Sequence, residues 1–113
     1  MKQVVYTEQS LLQFEESVKE LVEQHYFSEE EYAVDYMREI FRYFSLNLQN
    51  SIIVKAPEYF SRYKVDGTKL YYVRYRKSSR TTWYAFFEEL ENVYSIVYLA
   101  NNNLIGHRLD ICL

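Results

Sequence analysis

A chain of 113 residues is the length of one domain, here expected to span 1–113, and 49% hydrophobic residues supply a core without disulfides or metal. Two glycines and one proline are too few for a flexible linker, and the lone cysteine, Cys112, excludes an intramolecular disulfide and a Cys-x-x-Cys metal site. The net charge of −3 conceals a split: residues 1–50 carry four Lys/Arg against ten Asp/Glu, and residues 51–113 carry nine against six. The first eight residues, Met1-Lys2-Gln3-Val4-Val5-Tyr6-Thr7-Glu8, meet polar and acidic side chains before the apolar centre of a signal peptide forms. No apolar run approaches a membrane span, so a cytoplasmic protein without membrane contact is expected.

Val4-Val5-Tyr6 predicts a short edge strand. From Thr7 or Glu8 to Gln24 the spacing turns helical, with Leu11, Phe14, Val18, Leu21, Val22 and His25 recurring at steps of three and four and Thr7 placed to cap. Ser28-Glu29-Glu30-Glu31 reads as a capping box that opens a second helix, whose apolar stripe is Ala33, Met37, Ile40, Phe41, Phe44 and Leu48. A short connection between the two predicts an antiparallel helix hairpin packed on a sheet. The signal weakens over 47–50. Residues 51–57 read as an extended connection or a lead into a turn at Pro57, and 64–68 as a reverse turn.

Residues 69–103 hold three aromatic and β-branched runs, Leu70-Tyr71-Tyr72-Val73-Arg74-Tyr75-Arg76, Arg80-Thr81-Thr82-Trp83-Tyr84-Ala85-Phe86-Phe87 and Val93-Tyr94-Ser95-Ile96-Val97-Tyr98-Leu99. They predict a three-stranded antiparallel meander with loops at 77–79 and 88–92. Alternation places Tyr72, Arg74 and Arg76 with Arg80, Thr82, Tyr84 and Phe86 on one face, and Val73, Trp83, Ala85 and Phe87 on the other. One face reads as core and one as basic and hydroxyl-bearing. Between positions 55 and 80 eight basic residues meet only Glu58 and Asp66, a local field suited to a phosphate-bearing partner. Residues 104–113 predict a short helix or a loose tail.

This order of elements, an α+β strand, helix hairpin and meander, resembles the RelE/ParE toxin superfamily of bacterial toxin–antitoxin and plasmid-stabilisation modules. The local resemblance is to Bacteroides-type members, which carry a segment close to Arg80-Thr81-Thr82-Trp83-Tyr84-Ala85-Phe86-Phe87, then an acidic turn and a strand ending in Asn-Asn-His; here the ending is Asn101-Asn102-Asn103. The resemblance implies a RelE-like fold, a cognate antitoxin as partner, and neither metal nor cofactor. It implies one of two activities: ribosome-dependent cleavage of messenger RNA by a ribose 2′-hydroxyl, or noncatalytic binding to a target such as DNA gyrase.

Residue by residue, Arg80 matches an arginine that contacts the scissile phosphate in the RNA-cleaving branch, and Arg74 lies where a lysine often sits. Guanidinium groups suit the charge that builds on phosphorus during 2′-hydroxyl attack. Asn103 replaces a histidine, and an amide does not carry protons near neutrality; His107 is the substitute in the catalytic set Arg74, Arg80 and His107. Lys69, Arg76, Lys77, Tyr84, Asn103 and Arg108 are the expected RNA-binding residues, and Tyr72 and Tyr84 are placed to donate hydrogen bonds. Thirteen tyrosines also leave a homodimer open. His25 reads as a packed side chain, the glutamate clusters as helix faces or turns, and no phosphate-binding glycine loop, zinc motif or serine–histidine–acid arrangement is present.

Overall fold

The first helix is capped where the first strand lets go of its neighbour. The computed structural model, which describes residues 2–102, runs from β1 (Gln3–Tyr6) through Thr7 into α1 (Glu8–Glu23). The Thr7 hydroxyl accepts from the Ser10 amide at 3.2 Å, satisfying one of the donors that a helix start leaves unpaired. At the other end the His25 amide donates to the Val22 carbonyl and the Tyr26 amide to the Leu21 carbonyl. Those two bonds, with His25 at φ 62°, make a Schellman cap. His25 is therefore an exposed residue beyond the helix rather than a packed member of its stripe. Leu11 also faces water, 51% exposed, while Ser10 is fully buried, so α1 turns a smaller face inward than its apolar spacing suggests.

A short connection leads back into α2 (Glu30–Asn47). The N-cap is Glu29, whose side chain makes no capping bond, so the capping box expected of Ser28 and Glu31 does not form. Glu30 and Glu31 still sit in the first turn, where the helix dipole favours them. Ala33, Met37, Ile40, Phe41, Phe44 and Leu48 are all buried, as their spacing predicts. A 3₁₀ turn, Leu48–Asn50, ends the helix.

The sheet is mixed and five-stranded, in the order β1-β5-β4-β3-β2, where the sequence predicts a three-stranded meander with an added edge strand. β2 (Val54–Lys55) comes from the segment read as a connection and pairs antiparallel with β3 (Leu70–Arg76). β3, β4 (Thr82–Glu89) and β5 (Val93–Asn101) form the meander, and β1 joins it parallel to β5. β4 continues through Glu88 and Glu89, so the predicted 88–92 loop shrinks to 90–92. Beyond Ile96, where β1 ends its pairing, the edge of β5 is covered by a side chain. Gln13 of α1 donates to the Leu99 carbonyl and accepts from its amide, both at 2.8 Å, so one carboxamide does the work of a strand neighbour.

A β-bulge sets which side chains reach the far face. Phe86 pairs with Tyr98 and Phe87 with Ile96, leaving Val97 without an opposite residue. Before the bulge, even-numbered Tyr94 and Ile96 pack towards the helices; after it, Tyr98 and Ala100 belong to the opposite cluster. Both faces consequently carry core. On one, α1 and α2 pack over Val73, Trp83, Ala85, Phe87, Ile96 and Leu99. On the other, a 3₁₀ helix, Glu58–Tyr63, introduced by Pro57, drives a fully buried Phe60 onto Phe86 with ring centroids 4.5 Å apart. The face expected to be basic is thus apolar for half its length, and Tyr72, Tyr84 and Phe86 are buried there.

Candidate nucleic-acid interface

Strand pairing sorts the far face into rows. Tyr72, Phe86 and Tyr98 form the row beneath the 58–63 helix; Arg74, Tyr84 and Ala100 form the next; Arg76 and Thr82 form the last, with Asn102 following β5 on the same side. Each row lies two residues, ~7 Å, from its neighbour along the strands. The final rows border an open depression of about 430 Å³ lined by Arg74, Arg76, Ser79, Arg80, Thr82 and Asn102.

Its cations are left to solvent by their neighbours. Arg74, Arg76 and Arg80 are exposed, and the ion pairs among the described residues join Lys2 to Glu89, Arg38 to Asp35 and Lys77 to Glu39, none of them in the depression. The Arg76 guanidinium donates to the Ser79 carbonyl at 3.4 Å. Arg80 sits in the β3–β4 turn rather than opening β4, and Asn102 fixes that turn: its Nδ2 donates to the Arg80 carbonyl at 3.1 Å and its Oδ1 accepts from the Thr82 amide at 3.2 Å. Three positive charges with no carboxylate among the described lining residues make a field suited to a polyanion.

Of the residues expected from sequence, the structure brings together Arg74, Arg76 and Arg80. Lys77 goes elsewhere, to the helix side, where its Nζ lies 2.9 Å from Glu39 and 5.3 Å from the centre of the Tyr36 ring. Lys69 precedes the opposite end of β3 from Arg76, ~23 Å of strand away. Tyr72 and Tyr84 are buried, their rings packed edge to face at 5.9 Å, so their faces serve the second core. Asn103, His107 and Arg108 lie outside the described residues. Ser79, Thr82 and Asn102 join the lining without having been singled out; Thr82 was already on the correct face by alternation, whereas Asn102 reaches it only through the bulge.

A second group on the same face was not anticipated. The Arg62 guanidinium donates to the Tyr59 hydroxyl at 2.6 Å and lies over the Tyr59 and Tyr63 rings at 4.5 and 5.2 Å. Hydrogen bonds to Tyr59 and then Tyr63 hold its pKa above the ordinary guanidinium value. Tyr63 stacks on Tyr98 at 3.9 Å, and burial, with smaller help from Tyr63, raises the Tyr98 phenol well above its usual value.

The larger concavity, about 570 Å³, is a groove between α1 and α2 lined by Phe14, Val18, Val22 and Val34 with Glu15, Lys19, Glu23 and Glu30. Three glutamates against one lysine give it the wrong charge for a phosphate, so the arginine depression is the stronger candidate for that ligand. Among the described residues no group of three or more His, Cys, Asp or Glu is placed to hold a metal ion, and no helix is long and apolar enough to cross a membrane. An α+β fold with two helices on a five-stranded mixed sheet is the class the structure defines. Comparison with protein families, with curated proteins and with solved structures finds no match to the chain.

Proposed function

We propose that this protein is the toxin-like member of a toxin–antitoxin pair that binds the phosphodiester backbone of messenger RNA in the Arg74–Arg76–Arg80 depression and promotes its cleavage. The observation that carries the reading is the convergence of three arginines, none ion-paired among the described residues, on one open surface. A strand followed by a helix hairpin and a meander, the order found here, is also the order implied by the RelE/ParE resemblance, which supplies the antitoxin and the ribosome as expected partners.

In the proposed reaction the ribose 2′-oxygen bonds to phosphorus while the 5′-oxygen leaves, giving a 2′,3′-cyclic phosphate and a 5′-hydroxyl. Arg74 and Arg80 neutralise the added negative charge, each contributing on the order of 10²–10³ in rate. One group must take the 2′ proton and another must supply the 5′ proton. Arginine, serine, threonine and asparagine do not titrate near neutrality, so the described lining stabilises charge and does not shuttle protons. His107 is the residue proposed to take the 2′ proton, and solvent water supplies the 5′ proton.

The lack of a proton carrier among the described lining residues favours one second reading, a noncatalytic binder of the same fold directed at DNA gyrase or another target. Purified wild type, Arg80→Ala and His107→Ala, tested on labelled oligoribonucleotides and on messages being translated, separate the two. Cleavage lost in both variants, with RNA binding weakened only in Arg80→Ala, supports the enzyme. Wild type that cleaves neither RNA and instead inhibits DNA gyrase supports the second reading. Failure of the wild type to bind RNA at low salt, where three arginine contacts are strongest because log affinity falls with log salt at a slope of about −2, refutes the RNA reading.

A further inference from the structure

The 58–63 helix has more aromatic surface than its core requires. In a 3₁₀ helix residues i and i+3 eclipse, so Phe60 and Tyr63 share the face that packs on Phe86 and Tyr98. Tyr59 and Arg62 share the adjacent face. Phe60 alone is 0% exposed and closes the second core, whereas Tyr59 remains 39% exposed. Burial accounts for Phe60 and Tyr63; the Tyr59 ring meets Phe60 edge to face at 5.0 Å yet keeps a large share of its surface in water, and Arg62 is exposed beside it.

Those two residues are arranged as a stack. Tyr98 and Tyr63 lie 3.9 Å apart and 10° from parallel; the Arg62 guanidinium lies over Tyr63 and Tyr59, and its bond to the Tyr59 hydroxyl holds it there. No ion pair among the described residues engages Arg62. A flat cation beside a half-exposed ring is a surface on which a nucleobase stacks, and orienting it beforehand lowers the ordering cost of binding.

The stack is also in the right place. The stack rests on Tyr98 of β5, one row or ~7 Å along the strands and two strands or ~10 Å across from Arg74 of β3, a span of about two nucleotides of extended chain. We infer that Tyr59 and Arg62 form a base-stacking subsite for an unpaired nucleotide whose backbone occupies the arginine depression, which makes single-stranded RNA the ligand class. This rests on the RNA-binding reading above. Bases paired in a duplex are stacked on one another and present only their edges, so a duplex leaves this subsite empty.

The probe is a short single-stranded oligoribonucleotide carrying one 2-aminopurine, whose fluorescence falls on stacking, beside an abasic ribose–phosphate oligomer of equal length. Expected for the wild type is tighter binding of the base-bearing oligomer, with quenching. Tyr59→Ala lowers that affinity about 5- to 100-fold and relieves the quenching, leaves the abasic oligomer's affinity unchanged, and stays folded with a melting temperature only a few degrees lower; Tyr59→Phe, which keeps the ring and loses the bond to Arg62, retains the quenching. Arg80→Ala weakens both oligomers. If Tyr59→Ala binds and quenches as the wild type does while Arg80→Ala weakens binding, the stacking subsite is refuted and the RNA reading stands. If the wild type binds neither oligomer, the RNA reading is refuted and the subsite with it.

Discussion

Replacing Glu88 by glutamine should destabilise the fold by about 2–4 kcal/mol, although it changes one atom. The Glu88 side chain is fully buried in β4, and its carboxylate holds the turn that links the 58–63 helix to β3. Oε1 accepts from the Val65 amide at 2.8 Å, and both oxygens accept from the Asp66 amide at 3.2 Å. Oε2 also accepts from the Thr68 amide at 3.2 Å and the Thr68 hydroxyl at 3.1 Å. A carboxylate is acceptor-only, so four donors converge on it without conflict. Glutamine turns one oxygen into a donor that faces backbone N–H, leaving at least one amide unsatisfied at about 1–3 kcal/mol, and the bonds that remain lose their charge assistance. At roughly 4 °C per kcal/mol for a domain of this size, the melting temperature should fall by about 8–16 °C in calorimetry. Glu89→Gln is the control, because its bond to Lys2 at 2.7 Å joins two partly exposed groups and is worth at most about 1 kcal/mol. A fall for Glu88→Gln no larger than that of the control would refute the reasoning.

Two further outcomes follow from the backbone and the phenols. His25 occupies the left-handed position of the α1 cap at φ 62°, where a side chain costs about 1–2 kcal/mol that glycine avoids. His25→Gly should therefore raise the urea midpoint by an amount worth about 1 kcal/mol, and a midpoint at or below the wild type would contradict this. Tyr6 and Tyr98 both have pKa values raised above 10.0, chiefly by burial. Above that pH the unfolded chain releases protons that the folded chain keeps, so the contribution is fully present below pH 10 and is lost as pH rises towards the folded values. Urea midpoints measured at pH 8.5, 10 and 11.5 should fall over the last interval, less steeply in Tyr98→Phe; a level midpoint to pH 11.5 would show that burial does not hold these protons.

How far the fold could be read from the sequence depended on the range of the interactions that decide each part. The α2 stripe was readable because six apolar residues repeat at helical spacing and one packed layer buries all of them. The capping box failed because Ser28 and Glu31 carry the right chemistry one residue out of register with a helix that starts at Glu30. β2 escaped notice because two residues have no period, and its existence depends on the edge that β3 offers. Misreading the basic face had a different origin. Alternation assigned its residues correctly but cannot say what lies above them, and the 58–63 helix that covers Tyr72 and Phe86 is a neighbour in space. The depression was half readable: Arg74 and Arg76 follow from the β3 alternation, which also places Lys77 with Val73 and Tyr75 on the helix side, where it meets Glu39. Asn102 depended on one bulged residue, Val97, which no local pattern announces.

The same sheet that divides the two cores explains how an acidic chain presents a cationic surface. All ten acidic residues of the first half fall within α1, α2 or the 24–29 connection, and the helices pack on one face only. The arginines of the depression are on the other. The thickness of a sheet with its side chains, ~10 Å, exceeds the ~8 Å over which charges at physiological salt feel one another through solvent. The helix-side carboxylates therefore lower the total without cancelling the local field. Lys77 lies on the helix side with Glu39, so the described lining of the depression carries guanidinium groups and no ammonium. That matters chemically, because a guanidinium offers a planar fork to two oxygens of one phosphate, whereas an ammonium acts as a point charge. A net charge of −3 is accordingly the sum of two separated surfaces, and only the smaller, positive one faces the depression in which RNA is proposed to lie.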